Sequence, residues 1–136
     1  MFTQSVERAD FSEAWIEGDP AARWRSASGH GPGTGAEASG SSFLEVDPGR
    51  RLPRHTDSAE EAIVVLAGAA EVIVGEESAA ISAGAVALVP AGVPHEVRCT
   101  GDQALRFLAV YASVDVTTTY ESPVQPAGDR ERDPVG

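Results

Sequence analysis

Short apolar blocks separated by turn residues fill the chain from residue 42 to 112. Residues 43–46 end at Asp47, Pro48 and Gly49. Residues 62–66 form a continuous apolar run that stops at Gly68. It is too short for a helix and rich in β-branched side chains. Residues 70–74 lead into Gly75-Glu-Glu-Ser, a hairpin signal. Blocks 79–81, 85–89, 96–99 and 104–111 continue the series, separated by Gly84, by Pro90-Ala-Gly92 and by Gly101-Asp102. Many short strands at this spacing predict an all-β sandwich or barrel.

The flanks follow other patterns. Asp10 and Glu13, followed by Ala14, Trp15 and Ile16, have the form of a capping box opening a short helix, and Gly18, Asp19 and Pro20 stop it. Residues 28–41 are rich in Gly, Ser and Ala and are expected to be a flexible loop. Trp15 and Trp24 are bulky enough to pack this arm against the main body. Beyond residue 116 the chain becomes polar and proline-rich, and residues 128–136 are expected to be disordered. The division is an N-terminal helical arm (1–41), a β-barrel (42–116) and a partly disordered tail (117–136).

Composition narrows the classes of partner. The 136 residues carry 21 acidic and 10 basic side chains, a formal net charge of −11. Such a surface repels phosphate backbones and anionic bilayers, which argues against nucleic acid and membrane partners. The single cysteine, Cys99, has no internal partner and suits a reducing compartment. Residues 1–10 are polar, without the apolar run of a signal peptide. A soluble, cytoplasmic protein is expected.

Two segments carry the candidate chemistry. The first runs from Gly49 through His55, Asp57 and Glu61 to Gly68. The second runs from Gly84 through Pro90 and Gly92 to His95. His55 and Asp57 lie two apart, on one face of a strand and ~7 Å from each other. Glu61 follows after room for a bend. His95 opens a further strand behind Pro94. Two imidazoles and two carboxylates form a complete ligand set for one divalent metal. The competing reading is turn histidines and a turn-capping Asp57.

These two segments resemble the two motifs of the cupins. Gly49, His55, Glu61 and Gly68 fall on the first motif with matching gaps, and Asp57 stands where its second histidine is usual. Gly84, Pro90, Gly92 and His95 fall on the second, and Cys99 stands where asparagine is usual. The resemblance covers roughly residues 42–112. It implies a jelly-roll β-barrel, a metal held by His55, Asp57, Glu61 and His95, and a tendency to form homodimers. A cupin barrel without a metal is the alternative.

Asp57 in place of histidine makes a divalent site nearly neutral. Added anionic oxygen donation favours hard ions and higher oxidation states. Iron is expected first, with manganese, zinc or nickel as alternatives. His55, Asp57 and His95 also match the two-His, one-carboxylate triad of non-haem iron oxygenases. The leading expectation is a metal-dependent enzyme acting on an organic small molecule, of the Fe(II) dioxygenase type. Asp57 or Glu61, loosened from the metal in an apolar barrel, would act as the catalytic base. Two alternatives remain. One is a non-redox isomerase, cyclase, lyase or decarboxylase, and the other is a binding barrel without turnover. Cys99 is expected to be a small buried hydrophobe. Glu60, His30 and Arg106 are expected to be solvated polar residues.

Overall fold

Alternation along the strands sets which side chains face inward, and β-bulges correct it where it would fail. The computed structural model describes residues 1–136. Its strands are β1 (Ser12–Ile16), β2 (Asp19–Ser28), β3 (Gly40–Val46), β4 (Arg51–Asp57), β5 (Glu61–Ala67), β6 (Ala69–Val74), β7 (Glu77–Ser82), β8 (Val86–Val89), β9 (His95–Cys99), β10 (Leu105–Tyr111), β11 (Thr118–Gln125) and β12 (Asp129–Arg132). No helix is long and apolar enough to cross a membrane. The expected all-β jelly roll is the observed fold.

The strands follow one hydrogen-bonded path, β7-β6-β9-β4-β11-β1-β2-β3-β10-β5-β8, with β12 added to β11. The ends of the path, β7 and β8, are consecutive in sequence, so the turn at 83–85 links the two edge strands and the sheet curls into a barrel. Every second residue of β10 is buried: Leu105, Phe107, Ala109 and Tyr111. Ile63 and Val65 of β5, Val72 of β6 and Val97 of β9 meet them in one core.

The β4–β9 pair carries a bulge. Leu52 pairs with Val97 but His55 pairs with His95, so β4 holds one extra residue. Without it, Leu52 and His55 would face opposite sides of the sheet. Pro53 sits inside this irregularity, a position a strand tolerates for a residue without an N–H. The extra residue lets Leu52 enter the core while His55 and Asp57 also point inward.

Both flanks differ from the sequence reading. The helix expected after Asp10 does not form, and Ser12–Ile16 is strand β1, paired with β2. Gly18, at φ 81°, makes the hairpin turn. The Glu13 carboxylate bonds Arg23 across the hairpin rather than the backbone of residue 10. Burial of alternate residues, with Ala14 fully enclosed, outweighs the local capping pattern. The flexible loop expected over 28–41 is shortened by β2 and β3. It holds a 3-10 turn, Pro32–Thr34, and is tied by the His30 ring to the Ser39 and Ser41 hydroxyls. His30 is therefore half-buried rather than solvated.

The tail is likewise built into the sheet. Thr118–Gln125 pairs with β4, and Asp129–Arg132 pairs with β11. Trp24 stacks on Tyr120, ring centroids 5.3 Å apart, which joins the arm to the tail through the core. Val135 is 4% exposed and seated over Gly31 and Gly40. A Cβ on Gly40 would lie 2.7 Å from Val135 Cγ1, so only glycine leaves room for this contact.

Candidate metal centre

The four sequence-predicted residues converge. His55 and Asp57 lie on β4, His95 opens β9 beside it, and Glu61 opens β5 on the facing wall. One ligand atom from each lies within 4.8 Å of the others, and all four side chains are buried. The turn after Asp57 returns the chain directly to Glu61. The loop before His95 is fixed where Gly92 N–H donates to Asp57 O at 2.8 Å.

Backbone carbonyls set both imidazoles. His55 Nδ1 lies 2.7 Å from Pro53 O, and His95 Nδ1 lies 2.9 Å from Val93 O. A carbonyl oxygen only accepts, so both Nδ1 atoms carry the hydrogen. In the neutral ring, Nε2 then presents its lone pair inward, the arrangement a metal-ligating histidine needs. Each imidazole bonds the carbonyl two residues upstream in the chain.

The carboxylates are held unequally. Thr118 Oγ1 donates to Asp57 Oδ1 at 2.5 Å. Asp57 Oδ2 is buried and has no hydrogen-bond partner. It lies 3.1 Å from His95 Nε2 and 3.8 Å from His55 Nε2, but the single hydrogen at His95 Nε2 serves Glu61 Oε1 at 3.0 Å. A buried, unsatisfied carboxylate oxygen is costly. A cation among the four groups would satisfy it, so the donor set fits a divalent metal.

Without a cation the protons redistribute. Burial, reinforced by neighbouring His95, pushes His55 down to about 4. Burial pushes Glu61 up to about 7 against its contact with His95, and the Asp57 charge adds to the rise. Burial also opposes a charged His95, yet its contacts with Asp57 and Glu61 hold it at about 10. Burial disfavours the Asp57 carboxylate as well, but His95, His55 and Thr118 together keep its value lowered. The cluster is therefore a paired imidazolium and carboxylates, ready to exchange a proton for a metal.

A cavity of ≈ 220 Å³ opens from His55 and Glu61 between Trp24, Leu44, Leu52, Tyr111 and Tyr120. Burial raises both tyrosines, so they remain neutral phenols. Tyr120 packs on the His55 ring at 4.9 Å between centroids. Thr118 and Tyr120 are not among the sequence-predicted site residues, because they lie in the segment expected to be a tail. Their signal was the β-branched run Thr117-Thr118-Thr119 before Tyr120. Elsewhere, Cys99 is a buried thiol whose Sγ donates to Gln103 O. Arg106 lies on the outside, paired with Glu45. Glu60 is exposed.

Comparison with known proteins agrees with the fold. A Cupin domain family model matches residues 42–111. No curated protein sequence matches the chain. Among solved structures, the polyketide cyclase RemF from Streptomyces resistomycificus is similar at 24% identity and a TM-score of 0.65, over 82% of this chain and 78% of that one. Oxalate decarboxylase of Lactobacillus farciminis, in a formate complex, is similar at 20% identity and a TM-score of 0.67. That match covers 80% of this chain but 32% of the decarboxylase, so this chain corresponds to a part of that longer protein. The Cnp3 cupin domain of Schizosaccharomyces pombe gives 17% identity and a TM-score of 0.65, over 80% and 72%. At these identities the likeness concerns the fold.

Proposed function

This chain belongs to the Cupin domain family, and we propose that it is a metal-dependent enzyme acting on an organic small molecule. The observation that carries the reading is the buried meeting of His55, Asp57, Glu61 and His95 around one unsatisfied carboxylate oxygen. These four residues would hold one divalent ion. Two carboxylates against two imidazoles favour iron, then manganese, zinc or nickel.

Within that class, the proposed reaction is a dioxygenase-type oxidation at Fe(II). The bound ion would supply redox chemistry toward dioxygen and substrate. The residues of the chain do the remaining work. The Pro53 and Val93 carbonyls keep both Nε2 atoms directed inward, and Thr118 orients Asp57. Tyr111, Tyr120 and Trp24 wall the cavity beside His55 and Glu61. Glu61 reaches both His95 and the cavity, and once loosened from the ion its buried carboxylate would be suited to hold or release a proton. The test is oxygen uptake by iron-loaded protein with enediol, flavonol-like or thiol substrates. Turnover is expected to disappear in His95→Ala, and turnover that persists there contradicts the scheme.

The same position of Glu61 favours a second reading, non-redox acid–base chemistry of the cyclase, isomerase, lyase or decarboxylase kind. The polyketide cyclase and oxalate decarboxylase neighbours share this fold. Anaerobic turnover with zinc or nickel would select this reading over the first.

The proposed assembly is a homodimer. Val86, Leu66 and Leu88 are 66%, 44% and 62% exposed. Val86 pairs with Val64, and Leu88 with Ala62, so the outer faces of β8 and β5 form one apolar patch. It continues on β10 through Leu108 and Val110. Contiguous exposed apolar surface marks an interface. The proposed compartment is the cytoplasm, supported by the one unpaired cysteine.

A further inference from the structure

All ten basic side chains are arginines. Nine of them, all but Arg132, donate a hydrogen bond through the guanidinium to another group of the fold. The Arg132 guanidinium makes neither a hydrogen bond nor an ion pair within the fold, although the chain carries 21 acidic residues. It is also the one arginine that lines the cavity shared by His55 and Glu61.

Strand register explains how it gets there. Arg132 ends β12 and pairs with Thr118 on β11, and Thr118 pairs with Asp57 on β4. Directly paired residues face the same side of a sheet. The Thr118 hydroxyl meets Asp57 inside the barrel, so Arg132 extends toward the same interior. Strands ~4.8 Å apart place the Arg132 and Asp57 Cα atoms about 10 Å from each other. The strand end that bears Arg132 is secured by the seat of Val135 on Gly40, and by Asp133 Oδ1 accepting from the Val135 and Gly136 N–H groups.

We infer that Arg132 selects the substrate by binding the carboxylate of a small organic acid in this cavity. The inference rests on the reading above that the cavity is the substrate site. A guanidinium fork matches a carboxylate with two parallel hydrogen bonds. The other charged groups lining the cavity, Glu61, Asp10 and Asp133, are acidic. A single guanidinium fork pairs with one carboxylate, and no second cationic side chain lines the cavity to neutralise the further charge of a phosphate dianion. A volume of ≈ 220 Å³ is below the usual range for drug-sized ligands, so the acid is small.

The test is an NMR titration of the full-length, metal-free protein, so that no metal competes for the carboxylate. The probes are propanoate, its neutral counterpart propanamide, and inorganic phosphate. The Arg132 Nε–H and Trp24 indole signals report binding. Propanoate is expected to bind in the millimolar range and to weaken at least about tenfold in Arg132→Gln. Propanamide is expected to bind weakly and equally to both proteins. An unchanged Val135 methyl spectrum shows that the variant keeps its fold. Equal binding of propanoate and propanamide overturns the inference. So do tighter binding of phosphate, unchanged propanoate binding in Arg132→Gln, and no propanoate binding at all. Manganese binding by wild type and Arg132→Gln, followed by electron paramagnetic resonance, is read separately. It is expected to be the same in both. Its loss in wild type would count against the metal and leave the carboxylate result standing.

Discussion

Replacing Thr118 by valine removes one hydroxyl and leaves the side-chain shape almost unchanged. That hydroxyl donates to Asp57 Oδ1 at 2.5 Å, and the other oxygen of the same carboxylate has no hydrogen-bond partner. In Thr118→Val, Asp57 keeps only its approaches to His95 and His55. A hydrogen bond to a charged group contributes about 1.5–3 kcal/mol, so the metal-free variant should lose roughly 2 kcal/mol in urea unfolding. Thr118 also orients the proposed metal ligand Asp57 without being one itself, and loss of such a partner weakens metal binding by about 10–100-fold. The pH effect has a definite sign. The hydroxyl helps hold the Asp57 value down, so its removal raises that value. A proton then competes better with the metal, and the midpoint of metal uptake moves to higher pH. Manganese titrations from about pH 5 to 8 read both effects. Thr118→Ser, which restores the donor, should recover most of each. Equal affinity and an unchanged midpoint in Thr118→Val would refute the positioning role.

Three further outcomes are expected. In the metal-free protein, burial holds Glu61 at about 7 rather than near 4.5, so its contribution to stability is complete below pH 4.5 and is lost as pH rises through 7. Relative to Glu61→Gln, wild type should therefore lose up to about 3 kcal/mol between about pH 5 and pH 8 in urea unfolding, and parallel profiles would contradict this. Phe107→Ala empties the centre of the core, where Phe107 is fully enclosed, and should cost about 3–5 kcal/mol, so a loss below about 1 kcal/mol would mean the core is not packed as described. Leu88→Glu places a charge on the outer apolar patch and should convert the proposed dimer to a folded monomer by light scattering, whereas a wild-type mass that is already monomeric removes the dimer proposal.

Local signals located the strands from residue 42 to 111 because each apolar block is bounded by residues that turn the chain. Gly68, Gly75, Gly84 and Gly92 all take positive φ, and the sequence marks them without any tertiary knowledge. The candidate ligand residues were visible for the same reason, since His55, Asp57 and Glu61 flank one turn and His95 follows another. The flanks were not legible. Asp10 and Glu13 carry a good helix-start pattern, but β1 gains more by burying Ala14 and pairing with β2. The last strands read as tail because β12 is polar, and its fit depends on Val135 finding the space over Gly31 and Gly40. The bulge at Pro53 was equally hidden. Its effect on which way His55 points depends on register with β9, a long-range pairing.

Anomalous diffraction at the absorption edge of the bound metal, on crystals of the untagged protein, tests the metal centre most directly. The expected result is a single peak in the barrel within about 2.0–2.3 Å of His55 Nε2, His95 Nε2 and a carboxylate oxygen of both Asp57 and Glu61. A metal-loaded crystal with its peak elsewhere, or with these four side chains still joined only by the hydrogen bonds described above, would contradict it.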